Sequence, residues 1–451
     1  MTATRALSEF VAVTRLADLP ADVVARGSLI LADCVGCMVA GSAAPEMRRL
    51  LALEADRGRP AATALGTVVR LAEDAAAYVN GTAGTWHDLD EGNLSTRTHA
   101  AIQIIPAALA EAEAHNLSGA RLLEACILAY EASARLWRAT ESRLAVHPHG
   151  TYGPLAAAFA LAKLRGDDGA AIERAVNIAT TLGIAASRNT LNDGATVRNI
   201  YTGHSGRAGF QALALRDAGF TGEADAAASV LGNIYGSAFD PAVATADLNS
   251  TWWIRRNYFK RFAAGRYAHG ALDLIEVVAR QLGARLAPEF VERIEIETFF
   301  MAATLGQQTV RTPFGCRFSI PMLLAQRIAH GPISLTDDGT RAFADPVVRE
   351  LAGRVFVCED KAATAAYPDR QPTRLRIVLR DGRSERFASE RIQGESDAPF
   401  PSGVLEAKFV ALTEGSWGNV APNAWRDLNR IADVPDVGHL IAGWRSHLSH
   451  P

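Results

Sequence analysis

The sequence predicts a mainly α protein with an α+β second domain: an all-helical body over residues 1–258, completed by 395–451, and a smaller α+β lid over 259–394. Three observations predict it. Apolar residues recur at helical spacing through most of the first part, as in 100–114 and 118–138. The texture then changes to alternation at period two in Val291-Glu292-Arg293-Ile294-Glu295-Ile296-Glu297-Thr298 and again from Thr373 to Arg380, with Asp381-Gly382 as a hairpin turn before Arg383. The tail, 402–449, is helical in pattern again and can rejoin the body.

Bulk properties narrow the function classes. At 451 residues the chain is too long for one ordinary core. A hydrophobic content of 49% with 21% charged residues is that of a globular protein, and a net charge of −3 offers no footprint for nucleic acid or an anionic membrane. No stretch reads as an uninterrupted apolar span, and Glu9, Arg15 and Asp18 break the N-terminal segment, so a cytoplasmic protein without a membrane segment is expected. The five cysteines are sparse; Cys34 and Cys37 lie inside an apolar helical run and read as small hydrophobes, without disulfides.

Taken in order, residues 19 to 41 read as the opening helix, with Pro20 in the first turn, Asp22 at the positive end of the dipole and Gly41 at the close. The stretch Asn80 to Pro106, NGTAGTWHDLDEGNLSTRTHAAIQIIP, follows a second apolar run and packs His87, Asp88, Asp90, Glu91, Asn93, Arg97 and His99 between two helices. A plain connector needs only turn chemistry, so this density of titratable groups marks a site. After the helix pair 100–114 and 118–138 comes His147-Pro148-His149-Gly150-Thr151-Tyr152-Gly153 at the head of an Ala-rich helix, whose free N–H groups suit a carboxylate. Gly194 to Gly203 carries Arg198 and Tyr201. The segment Tyr258-Phe259-Lys260-Arg261-Phe262 holds one of only four lysines, in a chain that otherwise writes its cations as arginine, so Lys260 reads as a required amine.

Together these segments resemble the MmgE/PrpD family, which includes 2-methylcitrate dehydratase, cis-aconitate decarboxylase and iminodisuccinate epimerase. The resemblance rests on Asn80-Gly81-Thr82-Ala83, His87-x-x-Asp90, the downstream His99, Asp33 to Gly36, Gly119, Tyr130-Glu131, and the Lys260 segment through His269. It implies proton removal next to a carboxylate of a small polycarboxylate, without cofactor or metal, in a homodimer. Residue by residue it implies catalytic roles for Asp90, His99, His147 and Lys260; substrate contact is expected at Arg97, Arg198, His149, Tyr201 and Met322.

Departures from the family pattern accompany the matches. Arg198 stands at a lysine position, Met322 where a tyrosine is common, and Ala100 where proline usually follows His99. The expected scheme has Arg97 and Arg198 gripping carboxylates, Asp90 or His147 taking the α-proton, and Lys260 with His99 stabilising the enolate-like product or protonating the leaving group. The preferred function is a lyase that dehydrates a hydroxy-polycarboxylate. An epimerase is the alternative, favoured by the loss of a tyrosine at Met322; a decarboxylase or a non-catalytic binding homologue follows. No zinc-type histidine spacing and no phosphate-binding glycine loop occurs, so neither a metal nor a nucleotide is expected.

Overall fold

The computed structural model describes residues 1–448. The body is a pack of helices built around Ala21–Ser42, Glu73–Gly84, Ala100–Ala114, Gly119–Arg138, Gly153–Arg165 and Ile200–Asp217. The Ala-rich helix Gly153–Arg165 is buried along almost its whole length, because its small side chains let neighbours approach on every face. The helices Glu73–Gly84 and Ile200–Asp217 touch backbone to backbone: a Cβ on Gly81 would stand 2.9 Å from the Cα of Gly203. That approach sets the end of the first helix beside the start of the second, so the segment after Gly84 meets Arg198.

The tail helices Val404–Trp417, Ala421–Asn429 and Val437–Ser446 return to this body, where Phe409, Trp417, Ile441 and Trp444 join its core. A second apolar core spans Ala264 to Leu379. It lies under a four-stranded sheet ordered Val355–Glu359, Val291–Thr298, Thr373–Leu379, Ser384–Ser389, parallel at the first pairing and antiparallel at the others. Ile294 pairs with Ile377 and Ile296 with Leu375, all four on the buried face, as the period-two patterns predict. The helices His269–Leu282 and Ile320–His330 supply the other side of that core.

One helix bears on the expected lack of a membrane segment. The helix Ala21–Ser42 is long and apolar enough to cross a membrane by length and composition alone. In this fold 78% of its most apolar window is buried inside the protein, and its Asp33 is paired with Lys408 of the tail at 2.6 Å. Buried from Gly27 through most of its length, it packs as a core helix.

Candidate active site

The polar stretch between the helices Glu73–Gly84 and Ala100–Ala114 is tied down from several directions. Residues 93 to 98 form a closed turn, with Asn93 and Thr98 exchanging backbone hydrogen bonds at 2.8 and 3.0 Å. Gly92 pairs with Tyr258 across an isolated bridge, which delivers Lys260 to the same place. Three carbonyls of the stretch then receive charged donors: Arg317 donates to Trp86, Lys260 to Asp88 at 2.8 Å and Lys408 to Leu89 at 3.0 Å. Asp88 adopts a left-handed φ of +52°, uncommon for a side chain with a Cβ, and this turns its carboxylate toward the cations.

A cavity of about 320 Å³ opens at the seam between body and lid. Of the expected site residues, Arg97, His99, His147, Arg198 and Lys260 line it. Asp88 lines it too, and its carboxylate joins Arg198 at 2.6 Å and Lys260 at 3.1 Å. Lys260 is only 1% exposed, so its ammonium is held in a nearly dry position by that carboxylate.

Asp90, expected to be catalytic, and His149, Tyr201 and Met322, expected to touch substrate, lie off the cavity wall. Asp90 is fully buried behind His99 and does not line the cavity; its Oδ2 stands 2.9 Å from His99 Nδ1 and its Oδ1 3.9 Å from Lys260 Nζ. His149 is sandwiched between the rings of His99 and His147, 4.7 Å from each, without a hydrogen-bond partner for either nitrogen. Tyr201 backs His147 edge to face at 5.8 Å. Met322 lies in the first turn of Ile320–His330, within the lid core, so its substitution for tyrosine changes packing there and no group in the cavity. Asp90 and His149 sit in loop segments without a fixed period, and Tyr201 and Met322 in the first turns of helices, so the packed neighbour of each decides what its side chain faces.

Hydrogen-bond partners fix the two cavity imidazoles in opposite tautomers. His99 Nδ1 faces the carbonyl of Glu91 at 2.6 Å, with the Asp90 carboxylate beside it, so Nδ1 carries the proton. Whenever the ring is neutral, Nε2 is the nitrogen without a proton, and it stands 3.4 Å from the Tyr258 hydroxyl. His147 Nδ1 instead accepts the backbone N–H of His149 at 3.1 Å, which leaves its proton on Nε2. Burial and the nearby Arg198 guanidinium hold the His147 imidazole well below the usual histidine range, so it is neutral at physiological pH. Burial alone would raise the Asp90 carboxyl; Lys260, His99 and Arg198 outweigh it and keep Asp90 ionised. Glu91 has no such company: burial raises it to about 8, although its Oε1 accepts the Ala101 N–H at the head of the following helix.

Sequence reading missed Asp88 as a cavity group, and also Tyr258, Arg188, Arg266, Tyr267 and Tyr367. Tyr258 and Arg266 flank Lys260 closely enough to have been flagged; Arg266 lies over the Tyr258 ring at 4.3 Å and pairs with Glu395 at 2.6 Å. Arg188 and Tyr367 sit in unremarkable sequence and carry no such signal. The ligand atoms of Asp90, His99 and His149 lie within 4.8 Å of one another, close enough to hold a metal ion. The Lys260 ammonium beside Asp90 opposes a divalent cation there, and His99 would have to surrender the proton that it directs at Glu91.

Comparison with known proteins agrees with the fold. The MmgE/PrpD N-terminal domain model matches residues 5–239 and the MmgE/PrpD C-terminal domain model matches residues 262–433. A cis-aconitate decarboxylase of Aspergillus terreus is 24% identical over 94% of this chain and 92% of its own length. A cis-aconitate decarboxylase-like protein of Aspergillus oryzae is 26% identical over 64% of each chain. Identity at this level supports an enzyme with lyase-type chemistry and does not name a substrate. Matched by both domain models in the family's order, the chain belongs to the MmgE/PrpD family.

Proposed function

We propose that this chain is a cofactor-independent lyase that removes a proton next to a carboxylate and eliminates water from a small, 2-methylcitrate-like hydroxy-polycarboxylate. The carrying observation is the His99 imidazole, whose Nδ1 proton is committed to Glu91 and whose bare Nε2 belongs to the cavity side. A general base needs that arrangement, and Asp90 behind it stabilises the imidazolium that forms. Lys260 and Arg198 place positive charge where the enolate-like carboxylate develops.

The step balances within the cavity. The C–H pair becomes the new double bond as the proton passes to His99 Nε2; the C–O pair leaves with the hydroxyl, which takes that proton from the His99 imidazolium and departs as water, so the ring ends neutral as it began. The neutral His147 keeps its proton and can donate a hydrogen bond to the departing oxygen. The role first expected of Asp90 or His147 as base passes to His99. Loss of an acid at Met322 no longer favours an epimerase, because Tyr258, Tyr267 and Tyr367 all present phenols to the cavity.

The decarboxylase relatives favour a second reading, in which a carboxylate leaves as carbon dioxide and the resulting carbanion takes a proton. Such a reaction needs the cations and a donor, but no base. Proton NMR of the purified protein in deuterated water with 2-methylcitrate, citrate and cis-aconitate separates the two. A vinylic signal from a hydroxy acid supports dehydration, and release of carbon dioxide from cis-aconitate supports decarboxylation. Absence of both removes the lyase proposal for these substrates.

A further inference from the structure

The cavity has a second pole, made by both domains. On the body side, Arg97 projects from the closed turn 93–98 with a left-handed φ of +58°. Its guanidinium donates to the carbonyl of Thr140 at 2.6 Å and lies 3.4 Å from Ser142 Oγ, both neutral acceptors. Arg188 follows the Val146–Ser187 bridge, and its backbone N–H is fixed on the Ala145 carbonyl at 2.9 Å. On the lid side, the hydroxyls of Tyr267 and Tyr367 stand 3.4 Å apart, with the Tyr367 ring stacked on Phe299 at 4.9 Å.

These four groups face one another. The Arg188 guanidinium lies 5.9 Å from the Tyr267 ring, and both arginines act electrostatically on the Tyr367 phenol. All four line the cavity. The charge balance differs from that of the Lys260 pole. There Asp88 answers Arg198 and Lys260, and Glu395 answers Arg266. Arg97 meets only the neutral acceptors of Thr140 and Ser142 at hydrogen-bond distance, with Glu141 acting on it from further off, and Arg188 stands over the Tyr267 ring, so two cations and two hydroxyls converge with anion-binding capacity to spare.

We infer that Arg97, Arg188, Tyr267 and Tyr367 form a distal anion subsite that grips a carboxylate remote from the reacting carbon and thereby selects tricarboxylates over shorter diacids. The inference deepens the proposed function and rests on the same cavity. Because the arginines belong to the body and the tyrosines to the lid, a distal carboxylate also bridges the two domains. A diacid that occupies the Lys260 pole leaves this bridge unmade.

Isothermal titration with propane-1,2,3-tricarboxylate and pentanedioate tests it on the full chain. Neither compound carries a leaving hydroxyl or a double bond, so binding is read whether or not the protein turns over any substrate. Wild type is expected to bind the triacid more tightly. Arg188→Gln should weaken it by about tenfold or more, the usual scale for a lost charge-assisted hydrogen bond, and leave the diacid unchanged. Tyr367→Phe, which keeps the ring stacked on Phe299, should show the same selectivity with a smaller loss. Equal weakening of both compounds, no weakening of either, or no preference for the triacid in wild type would overturn the inference. Failure of the lyase proposal shows itself separately, as absent turnover with this selectivity intact.

Discussion

The two faces of the segment Trp86 to Asp88 form an instructive contrast. On one face Asp88 meets the 320 Å³ cavity with Lys260 and Arg198; on the other, Trp86 and His87 line a larger space of about 1010 Å³ with Arg317. The larger space is not the better site. Both terminal nitrogens of Arg317 are engaged, donating to the carbonyls of Trp86 and Asp337 and lying 3.3 Å from His87 Nδ1. Burial lowers its guanidinium to about 10, and burial with Arg317 alongside lowers His87 to about 3, so that face holds a neutral imidazole and a cation used for structure. The smaller cavity keeps a bare Nε2, an Nε2–H and cations with anion-binding capacity to spare. Residual bonding capacity, more than volume, distinguishes a site from a gap.

Substitutions on the two faces should therefore differ in kind. Lys260→Ala is expected to have the largest effect, lowering turnover by about three orders of magnitude while circular dichroism and melting show a folded protein. Retained turnover would remove Lys260 from the chemistry and erase the contrast. His99→Gln should cost about two to three orders of magnitude in dehydration, since the amide cannot accept the α-proton. If carbon dioxide release from cis-aconitate survives that change, the base is dispensable and the decarboxylase reading gains.

Arg317→Met should act through stability. It strips donors from two part-buried carbonyls, an expected cost of about 2–4 kcal/mol in urea unfolding, with kcat/KM of the folded fraction nearly unchanged. A loss of kcat/KM comparable to that of His99→Gln would mean that both faces belong to the catalytic machinery. The smallest effect is expected at Glu91, which lies in the body beneath the segment. Its carboxyl is raised from 4.5 to about 8 in the fold, so the native state keeps a proton that the unfolded chain has lost. That difference contributes stability fully present below pH 4.5 and lost as pH rises through about 8. Glu91→Gln removes the titration; its advantage over wild type in thermal unfolding should grow by about 1–2 kcal/mol between pH 5 and 8, local opening limiting the gain. A constant difference across that range would mean that Glu91 is ionised in the fold.

Much of the fold was legible in the chain. Helical spacing before residue 258 and period-two alternation at 291–298 and 373–380 follow from burial, because a side chain's face is set by its position in a regular element. The density of titratable groups between Asn80 and Pro106, and the rarity of lysine around Lys260, likewise pointed to the region of the cavity.

What the tertiary structure alone decided lies in the loops. That Asp88 faces the cavity while Asp90 backs His99 depends on one left-handed φ and on donors from Lys260, Arg198 and Arg317, none of them near in sequence. The opposite tautomers of His99 and His147 depend on whether Nδ1 meets a carbonyl or an N–H, which no composition encodes. Arg188 becomes a cavity group only because the Val146–Ser187 bridge brings its segment beside His147. Sequence determined the elements through periodic burial; packing of distant segments decided which side chains share a solvent-poor space, and hence which of them can do chemistry.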